Sequence, residues 1–390
     1  MTGKHYVIVG AGLAGAVLAR ELVSQLSCEI EILELKEHIG GHCYTERDPT
    51  TKILLHKYGP HIFNTNREDV WRYVNRFGRF RPFINRVKAK IDEGIFPFPI
   101  NLITINQFFG KNFDPSEARE FIASIADKQI TEPANFEEQA LKMVGNDLYH
   151  AFFYGYTKKQ WGCEPRELPA SILKRLPLRF NFNDSYYDKA FQGIPEAGYT
   201  EMVANILEHE RIKVLLGTPF VSRSSVERAD HLFFTGPLDA YFNFQYGRLG
   251  YRTVEFERHD TSGDFQGCAV INYPGMDVPY TRIHEHKHFA PWEKHDGTVY
   301  FKEFSKETRP YDPPYYPKRL AGDVNLLSKY IRLAKSEPAT SFLGRLGTYR
   351  YLNMDEVIAD SLDFAVLFSN CVKQERTPPV FPKSESELLT

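Results

Sequence analysis

An α/β protein is predicted, in which a discontinuous parallel-sheet domain is interrupted by a helical insertion and by an antiparallel β-sheet. Three observations lead there. The chain opens on a β-α-β pattern, Tyr6-Val-Ile-Val-Gly10, then a helical run, then Glu31-Ile-Leu-Glu34. Two short apolar strands of the parallel-sheet type, Ile212-Lys-Val-Leu-Leu and His231-Leu-Phe-Phe-Thr-Gly236, return far along the chain. Between and beyond them, residues 114–210 read as mostly helical, and residues 250–305 as period-two strands.

The opening unit carries Gly10-Ala-Gly12-Leu13-Ala14-Gly15 between strand and helix. Gly10 permits the tight turn, Gly12 lets backbone approach phosphates, and Gly15 allows the helix to pack on the strand. The predicted helix runs from Ala14 to Leu26, with Ala14, Leu18, Leu22 and Leu26 facing the sheet. Its N-terminus is prepared for a dinucleotide pyrophosphate. Glu34 falls about 20 residues on, where a carboxylate accepts hydrogen bonds from a ribose. Gly40-Gly41 after the second strand favours FAD over NAD, because a second backbone approach suits the ribityl and flavin portion. The domain is therefore expected to be Rossmann-like and FAD-binding.

Capping boxes at Asp114-Pro115-x-Glu117 and Asn135-x-x-Glu138 start helices in the insertion. Thr253-Val-Glu-Phe-Glu, Cys268-Ala-Val-Ile-Asn-Tyr, Thr281-Arg-Ile-His-Glu-His and Thr298-Val-Tyr-Phe-Lys-Glu-Phe read as strands. Asn353-x-x-Glu356 caps a last helix with apolar Val357, Ile358, Leu362, Ala365 and Val366. The expected division is residues 1–80, 205–245 and 318–372 for the cofactor domain, 100–200 for the helical domain, and 81–99 with 246–317 for the antiparallel sheet. Residues 373–390, rich in Pro, Ser and Glu, read as a flexible tail.

Composition narrows the classes. The formal net charge is −2 over 390 residues and no basic stripe is present, so nucleic acid is not an expected partner. Five scattered cysteines lack metal-ligand spacing and read as reduced thiols. No stretch is long enough to span a bilayer, and a cytoplasmic protein without membrane insertion is expected. The 22 tyrosines and 30 phenylalanines suit a deep pocket and an aromatic core equally well.

The segment from Phe152 to Gly162, followed by Ser171 to Phe180, sets Phe152, Phe153, Tyr156, Thr157 and Trp161 beside Lys158, Lys159, Lys174, Arg175 and Arg179. Such a set can stack on a base and grip a diphosphate, because arginine matches phosphate bidentately. A surface helix with a buried aromatic stripe accounts for the same pattern. Together with Gly59-Pro60-His61-Ile62-Phe63, Asn101 to Phe109, Phe191-Gln-Gly-Ile-Pro195, Thr235-Gly236-Pro237, Tyr280-Thr-Arg282 and Gly344-Arg345 to Tyr351, this segment resembles the bacterial UDP-galactopyranose mutases over roughly Tyr6 to Leu367.

The resemblance implies an isomerase in which reduced FAD, through flavin N5, is the nucleophile on the anomeric carbon of UDP-galactose. The sugar recloses as the furanose with no net redox change. By the same resemblance, the catalytic set is His61, Asn64, Arg175 and Arg282, with the two arginines clamping the diphosphate. Substrate contacts fall to Asn85, Phe152, Phe153, Tyr156, Thr157, Trp161, Tyr186, Tyr316 and Tyr351. Gly236, Arg345, Tyr351, Asn353 and Met354 join Leu13, Ala14, the glycines, Glu34, His42 and His61 around the cofactor. Residues 165–179 correspond to a mobile lid, the relatives are homodimers, and a cellular reductant such as NAD(P)H is implied.

Three positions depart from the family pattern. Asn64 stands where a second histidine is usual, His42 where an asparagine is usual, and Asn353 where an aspartate is usual. Asn and Asp cap helices equally well, so Asn353 is benign. Asn64 leaves a second sugar open: the same chemistry on dTDP-fucose, UDP-N-acetylgalactosamine or another nucleotide sugar. An FAD-dependent oxidoreductase of the amine-oxidase type is the alternative from another class.

Overall fold

The computed structural model describes residues 3–389, and the side chains of Lys174 and Arg175 lie outside the described residues. Strand β1 (Lys4–Val9), helix α1 (Leu13–Gln25) and strand β2 (Cys28–Leu33) form the opening unit. Their sheet has five strands in the order Ile212–Leu215, β2, β1, His231–Phe234, Thr340–Phe342, and every pairing is parallel. Three stretches of chain distant in sequence thus complete one sheet.

Helix α1 is buried beyond its predicted face: Val17, Ala19 and Val23 are as inaccessible as Leu18 and Leu22. The cause is cover from neighbouring helices, because the last helix, Met354–Lys373, packs along α1 through Ile358, Ala359 and Ala365 while its Phe368 rests on Tyr6 and Phe233 of the same sheet. Each large side chain so enclosed contributes about 1.5–3 kcal/mol.

A second sheet of seven strands runs in the order Tyr316–Pro317, Tyr251–Ser262, Gly297–Glu307, Arg282–Glu285, Val270–Asn272, Val87–Ile91, Gly94–Phe98. It is antiparallel except where Val270–Asn272 meets Val87–Ile91 in parallel. Helices Pro115–Ile125 and Phe136–Leu148 begin at the predicted caps, with Asp114 accepting from the Glu117 amide at 2.9 Å and Asn135 from the Glu138 amide at 3.0 Å.

Two readings need correction. Residues 114–210, read as mostly helical, also contain a strand. Phe191–Pro195 is the central strand of a small sheet, paired antiparallel with Phe63–Thr65 and Phe80–Pro82. A hydrophobic run cannot declare its strand partners when these lie more than a hundred residues upstream.

The tail beyond Lys373 is folded onto the molecule rather than free. Phe381 and Leu388 are buried, the Phe342 amide donates to Val380 O at 2.8 Å, and Ser341 Oγ donates to Pro379 O at 2.7 Å. Thr340–Phe342 is an edge strand of the parallel sheet, and its unpaired backbone recruits the tail. The charged residues that suggested disorder sit on the outside of this short apolar anchor.

Candidate active site

The two glycine loops face each other. Gly10 has φ +104°, and a Cβ there would lie 2.2 Å from Thr235 Oγ1. A Cβ on Gly15 would lie 2.0 Å from Gly10 O. Gly12 is different: a Cβ there would meet nothing nearer than the Gly41 Cα at 3.7 Å. Its freedom from side chains therefore keeps a cleft open rather than relieving a clash. Gly40 donates its amide to Ala11 O at 2.9 Å, which fixes the second loop against the first. Helix α1 has no side-chain cap at Gly12, so the amides of its first turn, including those of Leu13 and Ala14, are left for an anion.

Glu34 is buried at the end of β2. One carboxylate oxygen accepts from the Ala11 amide at 2.7 Å and the other from the Lys36 amide at 2.9 Å. Each oxygen keeps a lone pair for a hydroxyl. These features fit a dinucleotide cofactor.

Further walls converge on the cleft. Gly344 (φ +74°) would bring a Cβ within 3.0 Å of the Ala14 Cβ, and Gly236 would bring one within 2.8 Å of the Phe234 ring. His42 stacks on Tyr315 with ring centroids 4.3 Å apart. Burial, joined by the charges of Lys36 and Arg345, holds its pKa well below the ordinary histidine value. His61 is pushed down to about 4 by burial, against a raising hydrogen bond to Gly59. Its Nδ1 lies 2.7 Å from Gly59 O, and because a carbonyl only accepts, Nδ1 carries the proton and Nε2 the lone pair.

The second half of the site grows from a cross-strand pair. Arg282 and Glu303 are direct antiparallel partners, and His284 follows two residues on along the same face. Arg282 Nε donates to Glu303 Oε2 at 2.7 Å, and His284 Nε2 lies 3.2 Å from the same oxygen. Glu303 and His284 are fully buried, whereas Arg282 is partly open. Glu303 engages only Nε, so among the described residues both Nη groups of Arg282 remain uncommitted.

Around this guanidinium stand Tyr156, Tyr186, Tyr316 and Tyr351. The rings of Tyr316 and Tyr351 stack at 5.5 Å, and Trp161 lies 6.2 Å from Tyr351. Arg345 sits over Tyr316 and Tyr351, at 5.4 and 5.8 Å, and donates to the carbonyls of Leu352 and Tyr315. Burial pushes the Tyr316 phenol up to about 12 and raises Tyr156 and Tyr186 as well, so these hydroxyls remain donors at neutral pH. Among the described residues the hydroxyls of Tyr156, Tyr186 and Tyr316 have no protein partner.

Other predicted residues fall in different surroundings. Phe152 and Phe153 lie on a π-helical turn, Tyr149–Tyr154, and pack into a phenylalanine core with Phe96, Phe98, Phe108 and Phe136. They belong to the same buried cluster as Trp161, with Tyr186, Tyr316 and Tyr351 packed against it, and the Phe98 ring is 6.4 Å from that of Tyr186. An aromatic run predicts stacking but not on what, and here each ring packs on other phenylalanines. Thr157 is likewise buried.

Asn64 is buried on the strand Phe63–Thr65 opposite Gln192, with Nδ2 donating to Ile62 O at 3.0 Å. Asn85 is buried with Oδ1 unpartnered. Asn353 precedes the last helix, where Glu356 accepts the Asn353 amide at 2.7 Å. Met354 opens that helix and packs partly on the α1 core. Arg175 is on the 3₁₀ turn Ala170–Arg175, its side chain outside the described residues.

Sequence reading missed Glu303, His284, Lys36 and Tyr315. Glu303 had one available signal, an acid at an inward position of an alternating strand. Lys36, whose ammonium is buried 3.8 Å from the Tyr58 ring centre, had none.

Residues 151–351 match the sequence model of the UDP-galactopyranose mutase family, and residues 8–77 that of a NAD(P)-binding Rossmann-like domain. A Klebsiella pneumoniae protein named probable UDP-galactopyranose mutase is 52% identical, covering 98% of this chain and 99% of its own. An Escherichia coli dTDP-fucopyranose mutase is 48% identical, covering 93% and 97%. The crystal structure of a reduced UDP-galactopyranose mutase aligns with TM-score 0.75 at 16% identity, covering 100% of this chain and 99% of that one, which speaks to the fold.

A Rossmann-like domain joined to an aromatic, arginine-bearing sheet defines the class: a nucleotide-sugar mutase, an isomerase whose cofactor is a flavin. The chain belongs to the UDP-galactopyranose mutase family.

Proposed function

We propose that the protein interconverts UDP-galactopyranose and UDP-galactofuranose on FAD held in its reduced form. Bound and reduced, FAD supplies a nucleophile at flavin N5 for the anomeric carbon, with no net redox change. The chain's own residues bind, orient and exclude water. Arg282, with Arg175, holds the nucleoside diphosphate, and the hydroxyls of Tyr186, Tyr316 and Tyr351 donate to its oxygens. Retaining the diphosphate close by keeps its return to the sugar effectively unimolecular. Tyr156 and Trp161 flank the uridine. His61 offers Nε2 as a proton acceptor beside the cofactor. Residues 165–179 close over the substrate to exclude bulk water. A cytoplasmic homodimer fed by a reduced pyridine nucleotide completes this reading.

The observation that carries the reading is the Arg282–Glu303 pair, which among the described residues leaves two guanidinium nitrogens uncommitted beside the hydroxyls of Tyr156, Tyr186 and Tyr316. Donors so arranged bind an anionic oxygen more strongly than a neutral one, and the guanidinium repels a cation. A second reading, the same chemistry on a deoxyhexose of dTDP, draws support from Asn64 and from the 48% identity to the dTDP-fucopyranose mutase. Dithionite-reduced protein incubated with UDP-, dTDP- and GDP-sugars, with products resolved by chromatography, separates the two. A furanose from UDP-galactose is expected. Preference for a dTDP-sugar selects the second reading, and no isomerisation of any sugar overturns both.

A further inference from the structure

Lys159 lies on the same helix as Tyr156 and Trp161, but its ammonium turns away from the tyrosine cluster and into the loop Tyr273–Tyr280. Four backbone carbonyls of that loop surround it: Tyr273 at 2.7 Å, Gly275 at 2.6 Å, Val278 at 3.1 Å and Tyr280 at 3.0 Å. An ammonium has three donors, so at least one is shared. The arrangement is a carbonyl cage of the kind that holds a bare monovalent cation. Among the described residues no carboxylate lies within ion-pair distance of it, and the Asp277 carboxylate of the same loop favours its charge from farther off.

The loop has no regular secondary structure and closes on itself through the Tyr273 amide to Thr281 O, at 2.8 Å. Its backbone touches the helix directly, since a Cβ on Gly155 would lie 2.3 Å from Pro274 O. At its far end the Thr281 amide donates to Glu303 O at 2.8 Å, one residue before Arg282. The helix is held from the other side by Arg252, which donates to the carbonyls of Lys159 and Gln160.

We propose that the Lys159 ammonium is a tethered cation whose task is positional, fixing the Tyr273–Tyr280 loop and so setting Arg282 against the helix that carries Tyr156 and Trp161. The proposal rests on reading Arg282 and Tyr156 as diphosphate and nucleoside contacts. Lys159 touches neither substrate nor cofactor. Removing its side chain while leaving the cage empty should spoil nucleotide binding, and a small free cation should restore it. Filling the cage with an apolar stem should spoil binding irreparably.

The test uses FAD-loaded wild type, Lys159→Ala and Lys159→Met, titrated calorimetrically with UDP in tetramethylammonium, potassium or ammonium chloride at equal ionic strength. Lys159→Ala is expected to bind UDP at least about tenfold more weakly in tetramethylammonium, a loss of about 1.4 kcal/mol, and to regain most of it in ammonium or potassium. Lys159→Met should stay weak in all three salts, and wild type should be indifferent to the cation. Hydrogen exchange of residues 273–280 should be fast in Lys159→Ala and slow again with ammonium.

Unchanged UDP affinity in Lys159→Ala, equal behaviour of the Ala and Met variants, or an Ala variant that ammonium neither refolds nor restores would each overturn the proposal. A wild type that fails to bind UDP would instead sink the functional reading, while the exchange measurement still reports on the cage.

Discussion

Glu303 is fully buried, and one of its oxygens accepts from Arg282 Nε and lies 3.2 Å from His284 Nε2. Removing it leaves a largely enclosed guanidinium without its counter-charge, a change that costs about 3 kcal/mol or more. Glu303→Ala should therefore lower the denaturant midpoint of the holoenzyme strongly. Glu303→Gln, which keeps an acceptor for Nε, should lower it less, and equal losses would show that charge is irrelevant there. Phe152 makes the opposite point. Its surroundings are phenylalanines, so Phe152→Ala should cost about 3–5 kcal/mol of stability. Phe152→Leu should leave the KM for the nucleotide sugar near wild type, and a raised KM with unchanged stability would return Phe152 to the pocket. Asn64 is enclosed but polar, and a histidine there alters both size and hydrogen bonding. Asn64→His should change the ratio of kcat/KM between UDP- and dTDP-sugars by about tenfold, the scale of one polar contact, and an unchanged ratio rules it out as a specificity residue.

The elements that frame the cofactor cleft work through backbone. Gly15 lies so close to Gly10 O that a single added methyl group would force α1 away from the end of β1. Gly15→Ala should yield protein with little bound flavin, measured by absorbance per protein after purification. Full occupancy would mean the strand and helix can part without losing the cleft. The last helix, Met354–Lys373, presents the positive end of its dipole at Asn353, with Asp355 and Glu356 in its first turn. A helix terminus favours a nearby anion by about 0.3–1 kcal/mol. If that end faces the reduced flavin, Asn353→Ala should make the flavin harder to reduce, read as a more negative midpoint potential. An unchanged potential and unchanged activity would remove the helix from the mechanism.

Across the whole molecule, buried histidines dominate the acid response. Burial lowers His61 to about 4 and His231 and His286 to about 3, and holds His42, His56 and His284 well below their ordinary 6.5. The folded state therefore refuses protons that the unfolded chain accepts below 6.5. Stability is complete above that pH and falls as pH drops, by up to about 1.4 kcal/mol per unit for each histidine, until the folded values are reached. Glu285 adds a second limb. Burial works to raise it, but His288 and the amides of Phe265 and Gln266 overcome this and hold it at about 2. Its contribution is present above 4.5 and lost as pH falls toward 2. Unfolding midpoints measured between pH 7 and 5 should thus drop steeply, and His286→Phe should flatten the slope. A flat profile over that range would show that these imidazoles are not kept neutral.

The glycine loops, Glu34 and the apolar strands of the parallel sheet, Thr340–Phe342 excepted, were legible in the sequence because they depend on local rules. A turn with positive φ needs glycine, and a doubly covered strand is apolar throughout. Arg282 was legible through its motif, but its partner was not. Glu303 is 21 residues away, and antiparallel register alone brings the two face to face. Register also decided that Phe191–Pro195 is a strand, and an unpaired sheet edge decided that the tail is anchored. Residue type sets what a side chain can do: stack, donate or hold a charge. Which neighbour it does this with is set by contacts distant in the chain. That is why the aromatic run was readable as aromatic, yet only the fold divided it between a phenylalanine core at Phe152 and a tyrosine cluster at Tyr156.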